Sequence, residues 1–159
     1  MNRQGPPIVV GINGSDRSLA ALRWALGEAE MRGAPVRVVH CRPRHPFGGR
    51  RRIAERRGSI CMLDNEVAAA LRDVPTVVTV DPVSVAGRPA SALVDAASDA
   101  RLLVIGGDAK GEQGETHGHT VRDCLRHATC PVVVIERAET EASVCRAGSA
   151  DRHDRTNLS

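Results

Sequence analysis

The chain has 159 residues, of which 42% are hydrophobic and 26% charged, with a formal net charge of +3. That length makes one domain with its own core and excludes two full ones, while the apolar share excludes wholesale disorder. Aromatics are only 1% (Trp24 and Phe47, no Tyr), so the core must be built from Val, Leu, Ile and Ala, a single-stranded nucleic-acid reader with stacking platforms is not expected, and the small charge does not point to nucleic acid either.

Ile8-Val9-Val10-Gly11-Ile12 is a β-branched run that reads as a buried strand. It breaks at Asn13-Gly14-Ser15-Asp16, where Ser15 or Asp16 can cap a helix carrying Leu19, Leu22, Leu26 and Ala29 on one stripe. Gly33 ends that helix, and Pro35 lies just beyond. Residues 36–41 read as a second strand, completing a βαβ unit. Residues 42–63 carry seven arginines against Glu55 alone and are broken by Pro43, Pro46, Gly48 and Gly49, so they read as a mobile basic loop leading into a short helix. Asn65 is placed to cap a helix through Val67, Ala68, Leu71 and Arg72. Residues 75–80 read as the third strand, Pro89 as the first turn of a helix with Leu93, Val94 and Ala97 on one face, Leu102 to Ile105 as the fourth strand, residues 120–128 as a helix, and Val132 to Ile135 as the fifth strand. The alternation predicts an α/β domain over residues 1–137 with a parallel sheet covered on both faces. The tail, residues 138–159, has few large apolar groups and reads as disordered.

No apolar run approaches the ~20 residues of a membrane span, and residues 1–7 lack the apolar stretch of a secretory leader, so a cytoplasmic location is expected. The five cysteines include no C-x-x-C pair, which fits a reducing compartment and suggests no disulfide framework.

Ligands of open α/β sheets sit beyond the carboxyl ends of the strands. Residues 11–16, 40–42 and 106–120 must approach that edge. Gly106, Gly107, Gly111, Gly114 and Gly118 lie between the fourth strand and the next helix. Glycines let a backbone approach a ligand closely, and the helix start adds unpaired N–H donors and a positive dipole end, so the segment is a candidate phosphate cradle.

Several stretches act as a set: Ile8 through Ser15, Ala20 through Ala25, Arg32-Gly33-Ala34-Pro35-Val36, Val38-Val39-His40, Gly87-Arg88-Pro89-Ala90, Ala100 through Gly106, Gly118 through Leu125, and His127 through Ile135. Over residues 8–136 the chain resembles the universal stress protein family, except between residues 42 and 74. The resemblance implies an open five-stranded parallel sheet of order 3-2-1-4-5 with helices on both faces, an adenine nucleotide alpha hydrolase-like fold. It also implies a homodimer paired through the fifth strand, Val132 to Ile135, and, in some members, bound ATP. The nucleotide positions it implies fall on Gly11, Ile12, Asn13, Cys41, Gly106, Gly107, Gly111, Gly118, His119 and Thr120.

ATP-binding members carry an Asp after the first strand and a Gly-x2-Gly-x9-Gly-Ser/Thr motif after the fourth. Here the Asp position is Asn13, the second motif glycine falls on Ala109, the loop is one residue short, and His119 stands at the Ser/Thr position with Thr120 one place late. Each departure removes a charge or a hydroxyl or shifts the backbone, and a loss of ~3 kcal/mol weakens binding more than a hundredfold. The expectation is therefore a non-catalytic stress-response module acting by dimerisation and binding of an unidentified protein partner, with nucleotide binding weak or lost. The alternative is an ATP-binding, slowly hydrolysing switch that uses the same residues.

Other groupings are weaker. His117, His119, Cys124, His127 and Cys130 are close in sequence, yet Cys124 and His127 share a helix turn where a buried Cys is the simpler reading, so no metal is expected. His40 reads as a hydrogen-bonded structural histidine rather than a base. The loop Asn13 to Ser18 faintly resembles that of ATP pyrophosphatases but lacks the adjacent glycine pair. The arginines of residues 42–57 read as a solvated segment, with a polyanion-associated surface as the alternative.

Overall fold

The computed structural model describes residues 5–46, 49–107 and 118–136. Five strands and four helices alternate there: β1 (Ile8–Ile12), α1 (Asp16–Arg32), β2 (Val36–Arg42), α2 (Gly49–Asp73), β3 (Val80–Ala86), α3 (Pro89–Ala96), β4 (Leu102–Gly106), α4 (His119–His127) and β5 (Val132–Ile135). Every ladder is parallel and the order is β3-β2-β1-β4-β5, as the resemblance implies. Among the described residues no helix is long and apolar enough to cross a membrane.

Alternation along the strands divides the core. Ile8 and Val10 of β1, Val36 and Val38 of β2 and Val104 of β4 face α1 and α2, where they pack with Leu22, Leu26 and Leu63. Val9, Val39, Leu103 and Ile105 face α3 and α4 and pack with Leu93, Val121 and Cys124. Both faces of the central strands are thus buried, which is why β1 and β4 read as nearly continuous apolar runs.

The start of α1 follows its local signals. The Ser15 hydroxyl accepts from the Ser18 N–H at 3.2 Å, and Gly33 closes the helix in the left-handed region at φ 60°.

Two expectations fail. The helix that follows the basic connection is long and not short, and Asn65 caps nothing: α2 runs unbroken through Gly49–Asp73, while residues 43–46 lie outside helix and strand. Its carboxyl-terminal half is fixed by packing, since Leu63 and Ala70 are buried and Met62, Val67 and Leu71 lie against the core. That packing overrides Gly58, which disfavours a helix by ~1 kcal/mol. The third strand is Val80–Ala86, not residues 75–80. The β-branched run before it is an extended lead-in, and Val77 is 98% exposed. Pro82 sits within β3 opposite Val38, which is tolerated because β3 is an edge strand with one side free of ladder bonds.

A buried polar chain ties α2 to the sheet. His40 Nδ1 lies 2.6 Å from Ser59 Oγ, Ser59 Oγ lies 2.7 Å from Ser84 Oγ, and Ser59 is only 4% exposed. In the neutral tautomer with the proton on Nε2, the chain can run from the Ser84 hydroxyl to Ser59 and from the Ser59 hydroxyl to His40 Nδ1. Burial lowers the His40 pKa below its ordinary 6.5, so the fold favours the neutral imidazole. Folded protein therefore binds fewer protons at this site than unfolded chain, and the associated stability, complete above pH 6.5, is lost as the pH falls from there toward the lowered pKa. His40→Gln, which keeps an acceptor but does not titrate, should flatten this part of the melting temperature against pH profile. An unchanged profile would show that His40 does not set it.

Candidate functional site

At the carboxyl edge of β1 and β4 lies a cleft of about 170 Å³. It is bounded by the β1–α1 turn, β2, the start of α3 and the start of α4. Its lining includes Gly11, Ile12, Asn13, Cys41, Gly106 and Thr120 among the sequence-predicted positions, together with Ser18, Val39, Pro89, Leu93, Ile105 and Val121. Gly107, Gly118 and His119 are not in that lining, and Gly111 lies outside the described residues. The added residues are mostly apolar walls. Strand alternation contains the signal for two of them, because Val39 lies on the same face of β2 as Cys41 and Ile105 on the face of β4 that packs with Leu93.

Each rim glycine fits tightly for a stated reason. A Cβ on Gly11 would lie 2.9 Å from Leu93 Cδ2, so the missing side chain lets Leu93 cross β1 and floor the cleft. A Cβ on Gly106 would lie 2.7 Å from the carbonyl carbon of Arg17, so its absence lets the first turn of α1 close on β4. A Cβ on Gly107 would lie 2.5 Å from Val134 Cγ1, and the Gly107 N–H donates to the Ile135 carbonyl at 3.0 Å. Gly106 and Gly107 thus serve packing and sheet pairing, whereas nothing lies within 4 Å of a Cβ built on Gly118.

The β1–α1 turn is wired by Asn13. Its side-chain oxygen accepts from the Ser15 N–H at 3.1 Å, and its backbone N–H donates to Ser18 Oγ at 3.3 Å. Gly14 takes φ 82°, in the left-handed region. These bonds occupy the Asn13 oxygen and leave its amide hydrogens as donors. Ser18 Oγ also donates to the Ser15 carbonyl at 2.9 Å and lies 3.5 Å from Glu66 Oε2. Burial raises the Glu66 pKa, the Ser18 hydrogen bond opposes the rise, and the Asp16 charge adds to it. The opposite side of the cleft is the start of α4, where Gly118 has no capping side chain and the first-turn N–H groups have no intrahelical acceptor.

None of the described residues lining the cleft is His, Asp, Glu, Lys or Arg. Burial raises the Cys41 thiol pKa, disfavouring a thiolate nucleophile. His40 points to Ser59 on the α2 side of β2 and not into the cleft. Cys124 is fully buried, and burial foremost pushes its pKa up to about 11. His127 donates from Nδ1 to the Asp123 carbonyl at 2.9 Å. Among the described residues no three metal-ligating side chains converge, and His117 lies outside them.

The model of the universal stress protein family matches residues 6–136. The chain belongs to that family. A universal stress protein of Mycobacterium tuberculosis H37Rv is 34% identical over 143 residues, covering 80% of this chain and 46% of its own length; the chain thus spans about half the length of the curated relatives it matches. The solved universal stress protein of Archaeoglobus fulgidus is 31% identical with a TM-score of 0.67, over 82% of this chain and 98% of that one. A universal stress protein from Archaeoglobus fulgidus solved in complex with dAMP is 30% identical with a TM-score of 0.63, over 82% of this chain and 97% of that one.

The tight contact at Gly106 yields a paired prediction. Gly106→Ala forces backbone to move and should destabilise by about 1–3 kcal/mol. Gly27→Ala, in the interior of α1 with nothing within 4 Å of the new methyl, should stabilise by about 0.5–1 kcal/mol. Denaturant midpoints measure both, and equal effects would contradict the packing role of Gly106.

Proposed function

We propose that this universal stress protein domain is a non-catalytic stress-response module that acts through dimerisation and partner binding, and that its rim cleft receives the adenosine part of a mononucleotide while gripping a triphosphate poorly. The observation that carries the reading is the cleft itself: six of the expected nucleotide positions share one small, largely apolar recess at the carboxyl rim, in a chain 30% identical to a protein solved with dAMP.

Size and charge orient the ligand. A recess of about 170 Å³ is below the ~300 Å³ lower range of whole-ligand pockets, which suits part of a nucleotide. Val39, Leu93, Ile105 and Val121 offer an apolar slot for a base. The free N–H groups at the first turn of α4, near Thr120 in the lining, suit the phosphate. Asn13 offers a donor where an Asp would offer a carboxylate, and His119 replaces a small hydroxyl residue. With no acid–base side chain in the described lining, nothing there supplies general acid–base catalysis. The edge of β5, Val132–Ile135, provides unpaired backbone groups for a second copy across a two-fold axis.

Calorimetry with AMP and with Mg-ATP tests the nucleotide claim. AMP and ATP should bind with similar, weak affinity in the high-micromolar to millimolar range, because the γ-phosphate gains little. ATP binding ten times tighter than AMP, ~1.4 kcal/mol, would contradict the reading and favour the ATP switch. A sedimentation mass of one chain at micromolar concentration would contradict dimerisation.

A further inference from the structure

Five of the seven arginines of the basic segment lie on a helix, and the first turns of that helix are exposed where the later ones pack on the sheet. Within α2, Ser59, Leu63 and Ala70 mark the buried stripe. Arg52, two turns before Ser59 on that same stripe, is exposed, as is every residue from 49 to 58 except Glu55, which is half-buried. The first ten residues of α2 therefore form a protruding segment ~15 Å long. It carries Arg50, Arg51, Arg52, Arg56 and Arg57. Glu55 is its sole acid and is engaged by His45 at 2.8 Å and Arg51 at 3.4 Å. Arg50, Arg52, Arg56 and Arg57 form no ion pair among the described residues. No acid occupies the first turn to offset the positive end of the dipole. Among the described residues, those four arginines thus lie together without an ion-pair partner.

The arrangement of those cations selects the partner. At about 100° per residue, Arg52 and Arg56 point to one side, Arg50 and Arg57 to another, and Arg51 to a third. A flat anionic membrane would match a helix with charge on one side and apolar groups on the other. Here Ile53 (58% exposed) and Ile60 (42% exposed) share a side with Arg57, so the two are not segregated. Cations all around a helix are matched by a groove with phosphates on both walls. A helix with side chains is ~10–12 Å across and the major groove of B-form DNA is ~12 Å wide, whereas the A-form major groove is too deep and narrow to admit it.

We propose that residues 49–58 form a docking helix for the major groove of B-form DNA, binding phosphates without reading sequence. This is independent of the nucleotide cleft.

The test uses the full chain and a labelled B-form duplex of mixed sequence, followed by fluorescence anisotropy. Log affinity should fall linearly with log salt, with a slope of about −0.9 per phosphate contact; four contacts give a loss of roughly 150-fold between about 50 and 200 mM salt. Arg52→Gln with Arg56→Gln should reduce the slope by about two contacts, while Arg72→Gln with Arg126→Gln, which removes equal charge elsewhere, should keep it. All four positions are exposed, and the wild-type slope is read without any variant. No binding at the lower salt, a flat salt response, or equal losses in both double variants would overturn the proposal. So would tighter binding to an A-form RNA duplex, or an Arg52- and Arg56-dependent preference for phosphatidylserine vesicles over DNA.

Discussion

The rim of this domain depends on close backbone approach at three glycines. Where a Cβ of Gly11 would stand, Leu93 crosses β1; where one of Gly106 would stand, the Arg17 backbone closes on β4; where one of Gly107 would stand, Val134 of β5 sits. Together these contacts draw the start of α1, the α3 side chains and β5 onto the ends of the two central strands. The cleft is the space left over. Its small volume and apolar walls are consequences of the same packing, so glycines that look like phosphate ligands in sequence are first of all places where elements meet.

The two ends of α2 are held by different physics. Its later turns bury Leu63 and Ala70 in the core shared with α1, which is non-directional and tolerant. Its middle is tied by the His40, Ser59 and Ser84 chain, which is directional and depends on protonation. Its first turns are exposed apart from Glu55, which meets His45, and carry charge. The helix therefore passes from core element to surface device within one continuous backbone, and the β1–α1 turn touches it through Met62 and Glu66 near Gly14. The rim cleft and the sheet-bound part of α2 are neighbours through that turn.

Much of this was legible from residue pattern. The β-branched runs of β1, β2, β4 and β5, the Ser15 and Gly33 boundaries of α1 and the Pro89 start of α3 are local signals that tertiary structure leaves intact. The strand order came from family resemblance and not from periodicity. Elsewhere local signals misled. Gly49, Gly58 and an unbalanced arginine run argue against a helix, yet packing at Leu63 and Ala70 propagates α2 back through them. Residues 75–80 are the better strand by composition, but the register with β2 places the ladder at Val80–Ala86 and accepts Pro82 on an outer edge. In the cleft, backbone positions such as Gly11, Asn13 and Gly106 were readable, while Leu93 and Val121 were not, because they reach the rim from helices whose placement only the fold determines.

The reading of the rim recess rests on entry of an adenosine mononucleotide between these glycines. Amide chemical-shift mapping by NMR during an AMP titration addresses it most directly. Saturable shifts are expected at Gly11, Ile12, Asn13, Cys41, Gly106 and Thr120, with little change on the exposed turns of α2. Shifts confined to those arginine-bearing turns, or none at the rim at millimolar AMP, would contradict it.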